Sequence, residues 1–403
     1  MNYVIEPERK IPVKAEYDTV IVGGGIAGIA AALAAARGGA RVLLVERQYM
    51  LGGLATAGLV TIYLPLCDGM GRQVTFGIAE ELLRLSIQNG YEGKYPSAWL
   101  ANGSAEERTD QRFEVQYNPY IFAIEVEKLL KNTGVDILFG TTVCAVSVSD
   151  AKIRYIITEN KDGRTAVSLK NAIDCSGDAD VCILAGENTI TFSQGNVPAS
   201  WYYYVENGEN KLKMLGFSDI PDSQKTAEQL ESAKSSLRFA GLDAEELSRL
   251  TLYSHSVLLS DFLKKGKDTT KYSLSSIATI PQIRMTRRID GKYAQDDTET
   301  HKEYTDSVGL FSDWRKPGPV YELPFGTLFG RKINNLLVAG RCISVTDAMW
   351  DITRVIPVCA VSGQAAGTAA AMTDDFNNID INRLQINLQQ NGIILHENKI
   401  KQI

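Results

Sequence analysis

Residues 17–46 read Y-D-T-V-I-V-G-G-G-I-A-G-I-A-A-A-L-A-A-A-R-G-G-A-R-V-L-L-V-E, and the order of their parts decides the fold. Residues 19–22 form a short apolar run rich in β-branched side chains, the kind a parallel sheet buries on both faces. Gly23, Gly25 and Gly28 follow in G-x-G-x-x-G spacing, and an alanine-rich helix runs on to Gly38 and Gly39. A second strand, residues 41–45, ends at Glu46. In this context Gly23 permits a tight turn, Gly25 lets the backbone approach a diphosphate, and Gly28 lets the helix pack close on the strand. The diphosphate would rest on the helix N-terminus, where free N–H groups and the dipole favour negative charge. Glu46 lies at the spacing where an acid accepts hydrogen bonds from both ribose hydroxyls, and its charge disfavours a 2′-phosphate.

Outward from that unit, the chain has 403 residues, and two compact units are the default for that length. Hydrophobic residues make up 44% and charged residues 22%, values that exclude a disordered chain. Net charge is −6 with both signs interspersed, which gives no case for nucleic acid or an anionic membrane. The first sixteen residues are charged and lack an apolar stretch, so no signal peptide is expected. Cys67, Cys144, Cys175, Cys182, Cys342 and Cys359 include no C-x-x-C pair. With three scattered histidines they offer neither a metal site nor a disulfide framework, and a reducing cytoplasm is the expected home.

After Glu46, residues 50–58 (M-L-G-G-L-A-T-A-G) concentrate small residues, which suits backbone passing close to a ligand. Residues 77–89 have helical apolar spacing, residues 91–118 read as polar and irregular, and Pro119 opens a helix that Gly134 ends. Strands are expected at 135–139, 142–148, 152–158, 165–169 and 171–175, with a hairpin at Asp162-Gly163. The turn Ser176-Gly177-Asp178-Ala179-Asp180 either caps a helix or faces a ligand. From about residue 191 to 329 the character changes: an aromatic strand at 201–205, helices at 227–239 and 244–264, and an arginine cluster at 283–291. That cluster is either a solvated turn or a clamp for a carboxylate or phosphate. Residues 335–339 then resume the parallel-strand pattern, Gly340-Arg341 turn away, and 347–354 connect to a small-residue helix opened by Pro357.

Four blocks, L-G-G-L-A-T-A-G-L-V, C-S-G-D-A-D, R-x-x-R-R-I-x-G, and L-L-V-A-G-R-C-I-S with R-V-I-P-V-C-A-V-S-G-Q-A-A-G, resemble the FAD-dependent oxidoreductase family of the glutathione-reductase-type flavoproteins. The resemblance implies an α/β fold. A Rossmann-like FAD-binding domain with a parallel sheet and antiparallel crossover would be built from residues 14–190 and 330–403. An α+β substrate domain, 191–329, would be inserted between them. It implies that Gly23, Gly25 and Gly28, with Ile26 and Ala27 between them, and Glu46 with Arg47 hold the ADP half. Gly52, Gly53, Leu54, Ala55 and Thr56 would run beside the diphosphate and flavin. Val143, Ser176, Gly177, Asp178, Gly340 and Arg341 complete the candidate contacts, and the helix of Pro357 and Gly363 would aim its N-terminus at the flavin. The chain departs from the family pattern at Asp347, where histidine is common, and at Met285, where an acid is common.

The function expected is hydride transfer between flavin N5 and a small polar or anionic organic substrate, with an unidentified electron acceptor. Arg284, Arg287 and Arg354 are candidates for anchoring substrate, and Asp347 is the candidate proton acceptor. An NAD-dependent dehydrogenase and a flavin-binding protein without turnover are the alternatives.

Overall fold

The computed structural model of the chain describes residues 3–216, 225–227, 237–266 and 268–400. The helix expected at 227–239 lies largely outside the described residues. The opening unit folds as β1 (Val13–Val22), α1 (Ile26–Arg37) and β2 (Val42–Val45). Residues 19–22 are fully covered because sheet neighbours flank β1 on both sides and α1 lies on one face. Short pairs and helices follow: β3 (Ile62–Tyr63), α2 (Ile78–Ile87), α3 (Ser97–Leu100), α4 (Ala105–Asp110), β4 (Val115–Gln116) and α5 (Pro119–Asn132). The segment read as irregular thus contains two helices. Its missed signal is S-x-x-E: Ser104 Oγ accepts from Glu107 N–H at 3.2 Å and Glu107 Oε2 accepts from Ser104 N–H at 2.7 Å, a capping box.

Next come β5 (Asp136–Leu138), β6 (Thr142–Ser149), β7 (Lys152–Asn160), β8 (Gly163–Asp174) and α6 (Asp180–Ala185). The strands expected at 165–169 and 171–175 are one strand. Lys170 does not interrupt it, because its ammonium points outward to Asp18 at 2.7 Å. The middle contains β9 (Thr189–Thr191), β10 (Tyr202–Glu206), β11 (Glu209–Lys213), α7 (Ala244–Leu263) and β12 (Tyr272–Ile277). It continues with β13 (Arg287–Ile289), β14 (Ser307–Ser312) and β15 (Val320–Pro324). The end supplies β16 (Leu336–Val338), α8 (Asp347–Thr353), α9 (Ile356–Ala370) and α10 (Ile381–Gln390). The stretch 347–354, read as a connection, is helical because Thr346 Oγ1 caps it at Met349 N–H.

Seven strands share one sheet in the order β5-β2-β1-β8-β7-β6, with β16 also on β8. Strands β5, β2, β1, β8 and β16 pair in parallel, and β8, β7 and β6 antiparallel. The fold is therefore α/β with a parallel-rich Rossmann-type sheet. A separate antiparallel sheet, β11-β10-β12, carries the aromatic strand, and Tyr202, Tyr203 and Tyr204 are all buried in it. Strand β14 packs instead on α9, with a Cβ at Gly309 falling 2.7 Å from a Val361 methyl.

Candidate cofactor and substrate site

Helices α1 and α9 lie side by side and run in the same direction. A Cβ at Gly363 would stand 2.3 Å from Ala27 O, and one at Gly367 would stand 2.2 Å from Ala31 O. Only glycine allows backbones this close, so Gly363 sits in the helix–helix seam. Both helix N-termini consequently open on one side of the sheet, beyond the carboxyl ends of the parallel strands, where α/β folds bind ligands. Neither N-terminus has a side-chain cap, at Gly25 or at Val355, and Pro357 occupies the first turn of α9. Two sets of backbone N–H groups are thus left to a ligand or water.

The glycine loop divides its tasks as its spacing implies. Gly23, with φ +102°, lies against β8, since a Cβ would meet Cys175 O at 2.4 Å. At Gly25 a Cβ would meet nothing within 4 Å, so this residue faces open space before α1. The 52–56 loop is stitched onto it: Gly52 N–H donates to Gly24 O at 2.8 Å, and Thr56 Oγ1 donates to Leu51 O at 2.5 Å. Tyr117 Oη holds Ala55 O at 2.8 Å. Glu46 is only 7% exposed; its Oε2 accepts from Gly24 N–H at 2.6 Å and its Oε1 from Gln48 N–H at 2.7 Å. Each carboxylate oxygen has two lone pairs, so both can still accept a ribose hydroxyl. Arg47 is exposed and Val143 half-buried. An uncapped helix start, an open glycine and an anchored acid are a donor and acceptor set that fits a dinucleotide.

The C-S-G-D-A-D turn is held from within and from without. Buried Asp174 accepts from Ser176 N–H at 3.0 Å, Ser176 Oγ at 2.6 Å and Cys182 N–H at 3.1 Å, and burial pushes its carboxyl up. Arg341 ties two segments together, donating to Gly177 O at 3.2 Å and Asp178 Oδ1 at 2.9 Å in the turn and to Ile283 O at 2.7 Å. Thr286 Oγ1 also donates to Asp178 Oδ1, at 2.7 Å. Arg287 reaches Asp178 O and Asp180 Oδ1, both at 2.9 Å. Burial pushes the Asp180 carboxyl up to about 6, aided by Asp178 and Asp174 and opposed by Arg287 and Arg47. Gly340, with φ +80°, abuts Ala27.

The arginine candidates part company. Arg284 is buried beside the Trp201 ring, 5.5 Å from its centroid. Arg354 donates twice to Asp351 Oδ1, at 2.5 and 3.1 Å, and Asp351 is 1% exposed. Arg315 Nη1 stands 3.8 Å from the other oxygen of Asp351. Asp347 pairs with Arg288, its Oδ1 3.0 Å from Nη1, and accepts from Ser193 Oγ at 3.3 Å. Arg288 also lies over Trp350 at 4.6 Å and donates to Val345 O, and burial lowers its pKa against the opposing pull of Asp347. Arg288 belongs to the arginine cluster read as a turn or a clamp, but it is not among the residues singled out from it, and no local pattern pairs it with Asp347 59 residues on. Cys359, in the first turns of α9, is pushed up to about 12 by burial, so it is a thiol and not a nucleophile. Among the described residues no group of histidines, cysteines and acids could hold a metal ion, and no helix is long and apolar enough to cross a membrane.

A thioredoxin reductase from Ureaplasma parvum serovar 3 is 38% identical over 76 residues, a stretch covering 19% of this chain and 25% of that relative. Among solved structures, a geranylgeranyl bacteriochlorophyll reductase-like protein from Thermoplasma acidophilum is 15% identical with a TM-score of 0.43, covering 94% of this chain and 82% of that one. A p-nitrophenol 4-monooxygenase from Pseudomonas putida is 12% identical with a TM-score of 0.44, covering 89% and 79%. The family model described as FAD dependent oxidoreductase matches residues 18–250 and 209–388. With nearly the whole chain inside that match, the protein belongs to the FAD dependent oxidoreductase family, and FAD is its cofactor.

Proposed function

We propose that this FAD-dependent oxidoreductase passes a hydride between a small polar or anionic organic substrate and flavin N5, with a separate electron acceptor closing the cycle. The observation that carries the reading is the pair of parallel, uncapped helix N-termini at one end of the sheet. Bound FAD supplies the two-electron chemistry. The start of α1 would hold its diphosphate, and the start of α9 would offer a positive dipole end to negative charge on the reduced cofactor. Asp347, oriented by Arg288 and Ser193, takes the substrate proton as the hydride leaves carbon. Arg284, buried beside Trp201, and Arg287 and Arg354, which also hold Asp180 and Asp351, are the groups that would anchor the substrate's oxygens.

The test is anaerobic bleaching of the protein-bound flavin by a panel of small organic acids and polyols. One class should bleach it, and Asp347→Asn should slow that step on the order of a hundredfold while the flavin stays bound. A flavin that dithionite bleaches and no organic substrate does would sink the hydride reading.

A further inference from the structure

The parallel run of α1 and α9 brings their C-terminal ends together as well, with Gly38 against Ala371. These ends lie one helix length, roughly 18 Å, from the cofactor side. Between them, α2 and α10 wall a cleft of about 430 Å³ that the chemistry above does not use. That is room for a small ligand rather than a single water.

Its lining is polar and built. Gln364 is only 3% exposed, yet it faces the cleft. The backbone N–H of Ile78 donates to its Oε1 at 2.8 Å, which fixes the amide orientation. Its Nε2 makes no hydrogen bond among the described residues, so two donors of a nearly buried group point into the space. From α10 and the residue that ends it, Arg383, Asn387 and Asn391 present one row at four-residue spacing toward the same cleft. The Arg383 guanidinium and the Asn387 amide also have no partner among the described residues. On the opposite wall Arg37 holds Glu81 through two bonds, at 2.6 and 2.7 Å.

Two guanidinium groups thus face one carboxylate, and the unpartnered groups are mostly donors. An oxygen-rich anion answers that set. Dense negative charge does not, because Glu81 and the negative ends of two helix dipoles share the cleft. We propose that the cleft binds a small hydroxylated carboxylate. Its carboxylate lies between Arg383 and Gln364, and its hydroxyls donate to Glu81 and the Asn387 side-chain oxygen.

The test uses the FAD-loaded full chain, titrated with gluconate by calorimetry and by thermal melting. Gluconate should bind saturably and raise the melting temperature, whereas sorbitol, which lacks the carboxylate, should do neither. Arg383→Ala and Asn387→Leu alter side chains on the outer helix, and Arg383→Ala should weaken binding by about tenfold or more. The visible flavin spectrum should not change as the cleft fills. Absence of saturable binding overturns the proposal, and so does equal affinity for inorganic phosphate. Binding that both variants leave intact, or a flavin spectral change saturating with the same constant, places the ligand elsewhere and overturns it too.

Discussion

Glu46 is tied down before any cofactor arrives, and that changes what its loss should do. Its two oxygens take Gly24 N–H and Gln48 N–H, so the carboxylate shapes the glycine loop as well as facing a ribose. Glu46→Ala should therefore cost about 2–3 kcal/mol of stability through two unpaired amides, besides its effect on FAD. The expected product is an apoprotein melting several degrees below wild type; full flavin occupancy in this variant would contradict the placement. Asp180 gives the pH counterpart. Its carboxyl is raised from 3.8 to about 6, so the folded state binds more protons than the unfolded state between those values. Stability from this group is present below about 4, is lost as pH rises through about 6, and stays lost above. Asp180→Asn should thus melt at or slightly above wild type at pH 7.5, with the difference shrinking as pH falls through about 6 and vanishing below about 4. The gain is small because the side chain is 46% exposed and the ion pair with Arg287 goes with it. A variant that melts well below wild type at pH 7.5 would show that pair outweighing burial.

Among the elements, the contact between α1 and α9 carries the site, because it puts two helix starts at one edge. Its tolerance is narrow: a Cβ at Gly367 would stand 2.2 Å from a backbone oxygen that cannot swing aside. Gly367→Ala should push the helices apart at a cost of about 3 kcal/mol and weaken FAD binding together with stability. Unchanged melting would mean that the seam is looser than the geometry shows. Both helices were legible in the sequence, since G-x-G-x-x-G marks the first and proline followed by small residues marks the second. Their contact was not, because the glycines at 363 and 367 serve a partner more than 300 residues away. The same distance hid the partners of the arginines. Arg287 with Asp180, and Arg341 with Asp178, join segments more than 100 residues apart, and no local pattern encodes such pairs. Arg354 is the exception, for Asp351 lies one helical turn before it. What the residues 91–118 concealed was local and readable: Ser104 and Glu107 announce a helix start in a stretch dismissed for its polarity.

For the molecule as a whole, strands from both halves of the chain meet on β8, which pairs with β1 along one edge and with β16, at residues 172–174, along the other. The resemblance to the FAD-dependent oxidoreductase family implied this meeting, through an FAD domain built from both ends of the chain. One side chain closes the seam. Asn335 is 1% exposed; its Oδ1 accepts from Ile153 N–H at 2.8 Å, and its Nδ2 donates to Ile153 O at 2.8 Å and Lys170 O at 2.7 Å. It thereby binds the return of the chain to β7 and β8 at once. Asn335→Ala removes three hydrogen bonds, two of them buried, at about 1 kcal/mol each and orphans their partners, so a loss of about 3 kcal/mol is expected. Because α9 follows β16 in the chain, loosening this seam should release FAD along with stability. Mass action supplies the check: a ligand that binds only the folded chain returns about 2.7 kcal/mol at a hundred times its dissociation constant. Excess FAD should accordingly restore most of the lost melting temperature in Asn335→Ala. If the same FAD concentrations raise the melting of this variant and of wild type equally, so that their affinities match, the cofactor site and the seam are independent, and the coupling argued from β16 fails.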